Sequence, residues 1–187
     1  FKTTNSGVNW SQMDFGGYNS FPDQNTGYST GGGLLFKTTN FGNNWVMQNN
    51  PTNQSLFSIH FINVNTGYSC GEFGNLIKSS NGGDNWFTIE PIIYPLRLSY
   101  IFTNIMFTDQ LTGFIAGYKF ANDTSVFIKT SNSGLNCNVQ RYTVSNWGKF
   151  TSMFFVNSTT GYIGAGSNAS ILKTTNGGSS WFPYTIP

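Results

Sequence analysis

Few side chains in this sequence can do acid–base or covalent chemistry. Its 187 residues include one histidine (His60), two cysteines (Cys70 and Cys137), two arginines (Arg97 and Arg141) and seven carboxylates. Glycoside hydrolysis would need two of those carboxylates facing one another across a substrate. Asp23 and Asp109 each stand four residues before the glycine of a recurring Thr-Gly pair, and Asn63 and Asn157 hold that place elsewhere. An Asx turn accounts for all four. Asp84 fills a variable position in a glycine turn and Asp123 lies in a turn insertion. Asp14, Glu72 and Glu90 remain, with no motif in common. His60 sits inside the apolar stretch Leu56–Ile62 and reads as a packed strand residue rather than a general base. One histidine and two separated cysteines give no metal-ligand spacing. The cysteines read as two thiols rather than a disulfide. The glycine-rich stretch Thr30–Gly33 reads as a turn between strands, not a phosphate loop. The residues therefore imply no catalytic group, no cofactor and no metal.

The elements that must position these residues come from a repeat. The segments Phe1–Trp10, Phe36–Trp45, Ile77–Trp86, Ile128–Cys137 and Leu172–Trp181 share the pattern apolar-Lys-(Thr/Ser)-x-Asn-x-Gly-x-(Asn/Ser)-Trp. Its asparagines are Asn5, Asn40, Asn81, Asn132 and Asn176, and its tryptophans are Trp10, Trp45, Trp86 and Trp181, with Cys137 in the fourth copy. A second marker alternates with it: Thr26-Gly-Tyr28, Thr66-Gly-Tyr68, Thr112-Gly-Phe114 and Thr160-Gly-Tyr162. Self-similarity at this spacing is the mark of a repeat architecture. Each unit reads as four short strands. Strand one is an apolar run buried on both faces, as in Leu56–Ile62, Ile101–Phe107 and Phe150–Val156. In the first unit it is the weakly apolar Tyr18–Phe21. Strand two starts at Thr-Gly-Tyr, and strand three is the apolar-Lys-Thr segment. Asn-x-Gly then turns the chain, and Trp opens strand four. The sequence predicts an all-β fold, a propeller of four-stranded antiparallel blades.

Composition excludes several classes. Charged residues make up 9%, against about 25% in an ordinary soluble domain. Aromatics reach 17%, and Asn, Ser and Thr number 24, 20 and 21. So many aromatics with so few charges argue against disorder. A net charge of +2 argues against a phosphate-driven nucleic-acid partner. Glycine content and the shortage of Glu, Lys and Ala exclude a long coiled coil. No window approaches 18 consecutive apolar residues, so no transmembrane helix is expected.

The turn Thr-x-Asn-x-Gly-x-Asn-Trp resembles the Asp-box, or BNR repeat, whose pattern is Ser/Thr-x-Asp-x-Gly-x-Thr-Trp. Together with the Gly-Tyr marker, the chain looks most like the photosystem II assembly-factor-like group of such propellers, similar repeats of which occur in secreted bacterial proteins. The resemblance spans nearly the whole chain and implies a propeller with the turn between strands three and four. Asn replaces the family's Asp in every copy, which keeps the turn's hydrogen bonds and removes its charge. The resemblance also raises sialidase chemistry, which grips a carboxylate with three arginines. Two arginines exclude such a site within these residues, and they do not make the arginine-rich patch described for photosynthetic members.

Counting units gives a half-blade over about 1–14 and blades over about 15–50, 51–92, 93–143 and 144–187, in a single propeller domain or propeller fragment. Four and a half blades predict an incomplete ring. It would be completed by about two or three more blades of a longer chain, or by further copies of itself head to tail. The repeat lysines Lys2, Lys37, Lys78, Lys129 and Lys173 read as solvent-facing. The longest irregular connection holds Pro91, Ile92, Ile93, Tyr94, Leu96 and Arg97, an apolar loop that reads as a contact surface together with Trp147. Sequons at Asn53, Asn122, Asn157 and Asn168 are candidate glycosylation sites if the protein is secreted. A surface of neutral amides and hydroxyls fits an extracellular or cell-surface setting. The expected function is a non-catalytic extracellular scaffold binding protein or glycan. The alternatives are a structural subunit of a filament or array joined through the half-blade, and a fragment of a propeller glycosidase.

Overall fold

The structure, a computed structural model, describes residues 1–3, 5–12, 17–89, 99–120, 124–143, 148–166 and 170–184. It holds four antiparallel sheets, each of four strands in chain order. The first blade is β1 (Tyr18–Ser20), β2 (Gly27–Gly31), β3 (Leu34–Thr38) and β4 (Val46–Gln48). The second is β5 (Leu56–Phe61), β6 (Gly67–Gly71), β7 (Leu76–Ser79) and β8 (Phe87–Thr88). The third is β9 (Tyr100–Phe107), β10 (Gly113–Lys119), β11 (Thr124–Thr130) and β12 (Cys137–Thr143), and the fourth is β13 (Phe150–Phe155), β14 (Gly161–Ala165), β15 (Ser170–Thr174) and β16 (Phe182–Tyr184). Before them Lys2 and Ser11 exchange two backbone hydrogen bonds of 2.8 Å, which is all the ladder the half-blade shows among the described residues. The only helical stretch described is the turn Glu72–Gly74. The fold is an all-β propeller. Its first strands meet from blade to blade, β1 with β5, β5 with β9 and β9 with β13, and among the described residues no comparable packing joins the fourth blade to the first. The ring is open.

The core lies between blades rather than within them. One apolar cluster joins Tyr28 and Leu35 of the first blade to Leu56, Ile59, Phe61, Ile77 and Trp86 of the second. Equivalent clusters join the second blade to the third and the third to the fourth. At each seam the marker aromatic stacks on the phenylalanine that ends the next blade's first strand. The centroid distances are 3.5 Å for Tyr28–Phe61, 4.1 Å for Tyr68–Phe107 and 3.7 Å for Phe114–Phe155. The marker glycine exists because the same phenylalanine lies over it within its own blade. A Cβ on Gly67 would come within 2.4 Å of the Phe61 ring, and one on Gly113 within 2.5 Å of Phe107. The repeat tryptophan then closes the corner edge-on, Trp86 against Phe61 at 5.6 Å and 85°, Trp181 against Phe155 at 6.0 Å and 83°.

The five repeat turns share one hydrogen-bond scheme. The Thr or Ser hydroxyl oxygen accepts the amide two residues on and the amide four residues on, as Thr38 does from Asn40 at 3.3 Å and Gly42 at 3.0 Å. The asparagine Oδ1 accepts that hydroxyl and the amide four residues beyond itself; from Asn44 to Asn40 this is 2.9 Å. Asn5, Asn81, Asn132 and Asn176 repeat it. The two residues after the asparagine are both left-handed, which suits glycine. Gly82 and Gly177 obey this, whereas Ser6, Phe41 and Ser133 adopt φ of 57°, 61° and 60° at the same place.

Three details depart from the sequence reading. Strand four starts one residue after Trp45, Trp86 and Trp181, because each indole is used at the corner rather than in the ladder. The Trp45 Nε1–H donates to the Gly42 carbonyl at 3.1 Å, whereas the buried indole N–H groups of Trp86 and Trp181 have no hydrogen-bond partner. Only β12 starts at the repeat position itself, where Cys137 leaves the corner unfilled. Finally, β13 is not buried on both faces: Phe154 is 59% exposed on a blade whose outer side meets no further sheet among the described residues.

The Cys137 corner holds a nearly wholly apolar cavity of about 20 Å³, lined by Tyr68, Phe107, Gly134 and Cys137 among others. The buried Tyr68 hydroxyl beside it has no partner, whereas the Tyr28 hydroxyl donates to the Gly82 carbonyl at 2.7 Å. Trp86→Cys is therefore expected to cost about 3 kcal/mol of stability in chemical denaturation. Cys137→Val, small enough for that space, is expected to raise the midpoint. A midpoint lowered by that substitution would show that the corner has no room to spare.

Candidate functional site

The carboxylates in view are engaged in turns. Asp23 Oδ1 accepts the amides of Asn25 and Thr26, both at 2.7 Å. Asp109 Oδ1 accepts those of Leu111 at 2.8 Å and Thr112 at 2.7 Å. The bond from Thr26 holds the Asp23 carboxyl below the ordinary range, and the bond from Thr112 does the same for Asp109. Asn63 and Asn157 make the same turn. Asp84 pairs with Lys37 at 2.8 Å across the first seam. Glu72 opens the short helical turn. Asp14, Glu90 and Asp123 lie outside the described residues. No group of three metal-ligating side chains occurs among the described residues.

The other titratable groups are seam parts. His60 on β5 is half-buried, and its Nε2–H donates to the Phe107 carbonyl of the next blade at 3.0 Å. Burial lowers its pKa below the usual value, opposed by that hydrogen bond. Cys70 is a buried free thiol, its pKa pushed up by burial, and Cys137 is a half-buried free thiol shifted the same way. Burial, with smaller contributions from Asp84 and Asp23, pushes the Tyr28 phenol up to about 12. Arg141 Nε donates to the Tyr100 hydroxyl at 3.2 Å.

The repeat lysines were expected to face solvent; they are partly exposed, and four of them also lie over aromatic rings. Lys37, Lys78, Lys129 and Lys173 lie 6.0, 5.1, 5.7 and 5.7 Å from the centroids of the marker rings Tyr28, Tyr68, Phe114 and Tyr162. Each lysine pairs across the ladder with its marker aromatic, as Lys37 does with Tyr28, so register alone brings cation and ring together.

The contact residues read from the sequence, Pro91, Ile92, Ile93, Tyr94, Leu96, Arg97 and Trp147, lie outside the described residues, as do Asn122 and Asn168. Asn53 and Asn157 are exposed. What the described residues form instead is an open groove of about 560 Å³ beside β4, lined by Gly33, Leu34, Met47, Gln48, Asn49 and Asn53 among others. Met47 is 65% exposed and Leu34 49%. Asn50 fixes one wall by donating to the Gly33 carbonyl at 2.8 Å and accepting the Thr52 amide at 3.0 Å. No titratable side chain lines the groove. Among the described residues the outer strand β4 has β3 on one side only, which leaves its other edge for pairing. The sequence reading passed over this place. Its signal was the amide run Gln48–Asn50 following two apolar residues, Val46 and Met47, on a strand too short to bury them.

No family model and no curated protein match the chain. Among solved structures it is similar to "YCF48 bound to D1 peptide", with TM-score 0.67, 17% identity, and coverage of 89% of this chain and 53% of that one. It is also similar to YCF48 from Cyanidioschyzon merolae, with TM-score 0.68, 15% identity, and coverage of 91% and 56%. The chain thus spans about half the length of these structures, and at this identity the likeness is one of fold.

His60 gives the seam a pH dependence with a definite sign. Its folded pKa lies below the unfolded value of about 6.5. The unfolded chain therefore takes up a proton first as pH falls. Stability is expected to be level above about pH 6.5 with respect to this group, and to fall as pH drops below it. His60→Gln should flatten that slope in urea titrations at successive pH values, and an unchanged slope would assign it elsewhere.

Proposed function

We propose that the chain is part of a non-catalytic propeller acting as a scaffold for a protein partner, outside the cell or at its surface. The observation that carries this reading is the groove beside β4. It combines exposed apolar side chains, neutral amides and an open strand edge, and it contains no acid, base or nucleophile. Those are the requirements of a peptide site that works by strand addition, in which backbone pairing supplies affinity and side-chain pockets supply selectivity. The blade stack supplies the rigid frame. The likeness to a propeller solved with a peptide supports the same class of role. A neutral surface with two exposed sequons, Asn53 and Asn157, supports the extracellular setting, and a glycan is the second ligand class the amides would take.

A structural role is favoured by a different feature. The last marker ring, Tyr162, meets Tyr184 of its own blade edge-on, 5.7 Å away, where the earlier markers stack face to face on a following blade. A further unit placed there would complete the series.

The test is selection of a displayed peptide library on the full chain, in parallel with a glycan array and a panel of aryl glycosides. Peptide enrichment is expected, with binding weakened at least tenfold by Leu34→Glu with Met47→Glu, and no glycoside turnover. Turnover abolished by substituting a carboxylate would overturn the non-catalytic reading. Glycan binding without peptide enrichment would replace the partner class.

A further inference from the structure

The second seam brings together a thiol, a small cavity and a buried hydroxyl without a partner. At the first seam Trp86 closes the corner, and the Tyr28 hydroxyl donates to the Gly82 carbonyl of the repeat turn at 2.7 Å. A Cβ on Gly83 of that turn would lie 2.5 Å from the Tyr28 ring, so turn and ring are in contact. At the second seam Tyr68 stacks on Phe107 as Tyr28 stacks on Phe61, but Cys137 stands in the tryptophan's place. A Cβ on the equivalent glycine, Gly134, would meet nothing within 4 Å. The turn stands off from the ring here. Tyr68 is only 1% exposed, and its hydroxyl has no hydrogen-bond partner. The cavity of about 20 Å³ is lined by Tyr68, Thr130, Gly134 and Cys137 among others.

A space of this size has room for one oxygen atom. A free water would need about two to four polar partners there. The Thr130 hydroxyl is already engaged in the repeat turn, donating to Asn132 Oδ1 at 3.1 Å and accepting the amides of Asn132 at 3.3 Å and Gly134 at 2.9 Å. That leaves the Tyr68 hydroxyl, one partner, which is too few for water. An oxygen bonded to the Cys137 sulfur is anchored by that bond and needs only the one donor. The sulfur can be reached from outside, because Cys137 is half-buried and also lines an open groove of about 320 Å³ with Lys129, Ser131, Asn136 and Asn138. Burial raises the thiol's pKa, opposed by Thr130, so the corner does not speed attack on an oxidant. What it offers is a place for the product. The other thiol of the sequence, Cys70, is buried with its sulfur 3.7 Å from the Phe102 carbonyl, and is not poised as a resolving cysteine.

We propose that Cys137 is a modification site for hydroperoxides, held as a sulfenic acid whose oxygen fills the corner cavity and accepts a hydrogen bond from the Tyr68 hydroxyl. The sulfur attacks the terminal peroxide oxygen, so that an S–O bond forms as the O–O bond breaks. Sulfur loses two electrons and the peroxide gains them. The second peroxide oxygen leaves with the thiol proton, as water or an alcohol. The site uses none of the residues of the groove beside β4, so it stands or falls independently of that reading.

The probe is hydrogen peroxide, applied to the full chain. The product is read by peptide mass mapping after unfolding in dimedone, which traps sulfenic acid. One oxygen is expected at Cys137, persisting at least tenfold longer before conversion to sulfinic acid than in Tyr68→Phe. That variant loses only a hydroxyl with no partner, so its circular dichroism spectrum should be unchanged. Peroxide should also shift the urea midpoint upward relative to the shift in Cys137→Val, a comparison that cancels methionine oxidation. An unmodified Cys137 under peroxide that converts the exposed Met47 would overturn the proposal. So would equal lifetimes in the parent and Tyr68→Phe, equal midpoint shifts in the parent and Cys137→Val, or a disulfide between Cys70 and Cys137.

Discussion

The structure depends on one phenylalanine per blade, placed at the end of the first strand. Phe61, Phe107 and Phe155 each lie over the marker glycine of their own blade and face the marker aromatic of the preceding one. Stacked rings of this kind are worth roughly 0.5–1.5 kcal/mol beyond their buried area. The arrangement explains why the marker must be glycine followed by an aromatic ring. The glycine makes room for the phenylalanine above it, and the aromatic reaches across to the next phenylalanine. It also explains why the apolar clusters straddle blades. A single blade cannot bury its own phenylalanine on both sides, so each requires a neighbour.

The repeat turn performs a second task with little charge. A Thr or Ser oxygen and an Asn oxygen together satisfy amide groups that a left-handed turn leaves without ladder partners. Five copies of that solution account for much of the Asn and Thr excess. Four of the five repeat lysines, Lys37, Lys78, Lys129 and Lys173, lie over marker rings. Low charge here follows from the turn. It is also what leaves the groove beside β4 free of titratable groups.

Strand order, the all-β class and the turn chemistry were legible in the sequence because each is a local pattern: alternation of two markers, Asn-x-Gly spacing, and apolar runs before Thr-Gly. What was not legible depends on register between distant segments. Lys37 reads as a surface residue until Tyr28 is known to lie opposite it. His60 reads as an isolated strand residue until the Phe107 carbonyl of the next blade appears at its Nε2. Phe154 belongs to an apolar run that reads as buried, and it is exposed because burial needs a following blade. The groove went unread because its walls, Leu34 and Gly33 on one side and Met47 to Asn53 on the other, are separated in sequence and share no motif.

The seam stack, not the individual sheet, holds the propeller together. A double-mutant cycle on Phe114 and Phe155, each changed to leucine, measures it directly by urea denaturation of the full chain. The rings lie 3.7 Å apart and within 2° of parallel. A coupling free energy of about 1 kcal/mol in favour of the paired rings is expected. Additivity of the two substitutions to within about 0.3 kcal/mol would mean that each ring contributes only by its own burial, and would contradict the claim.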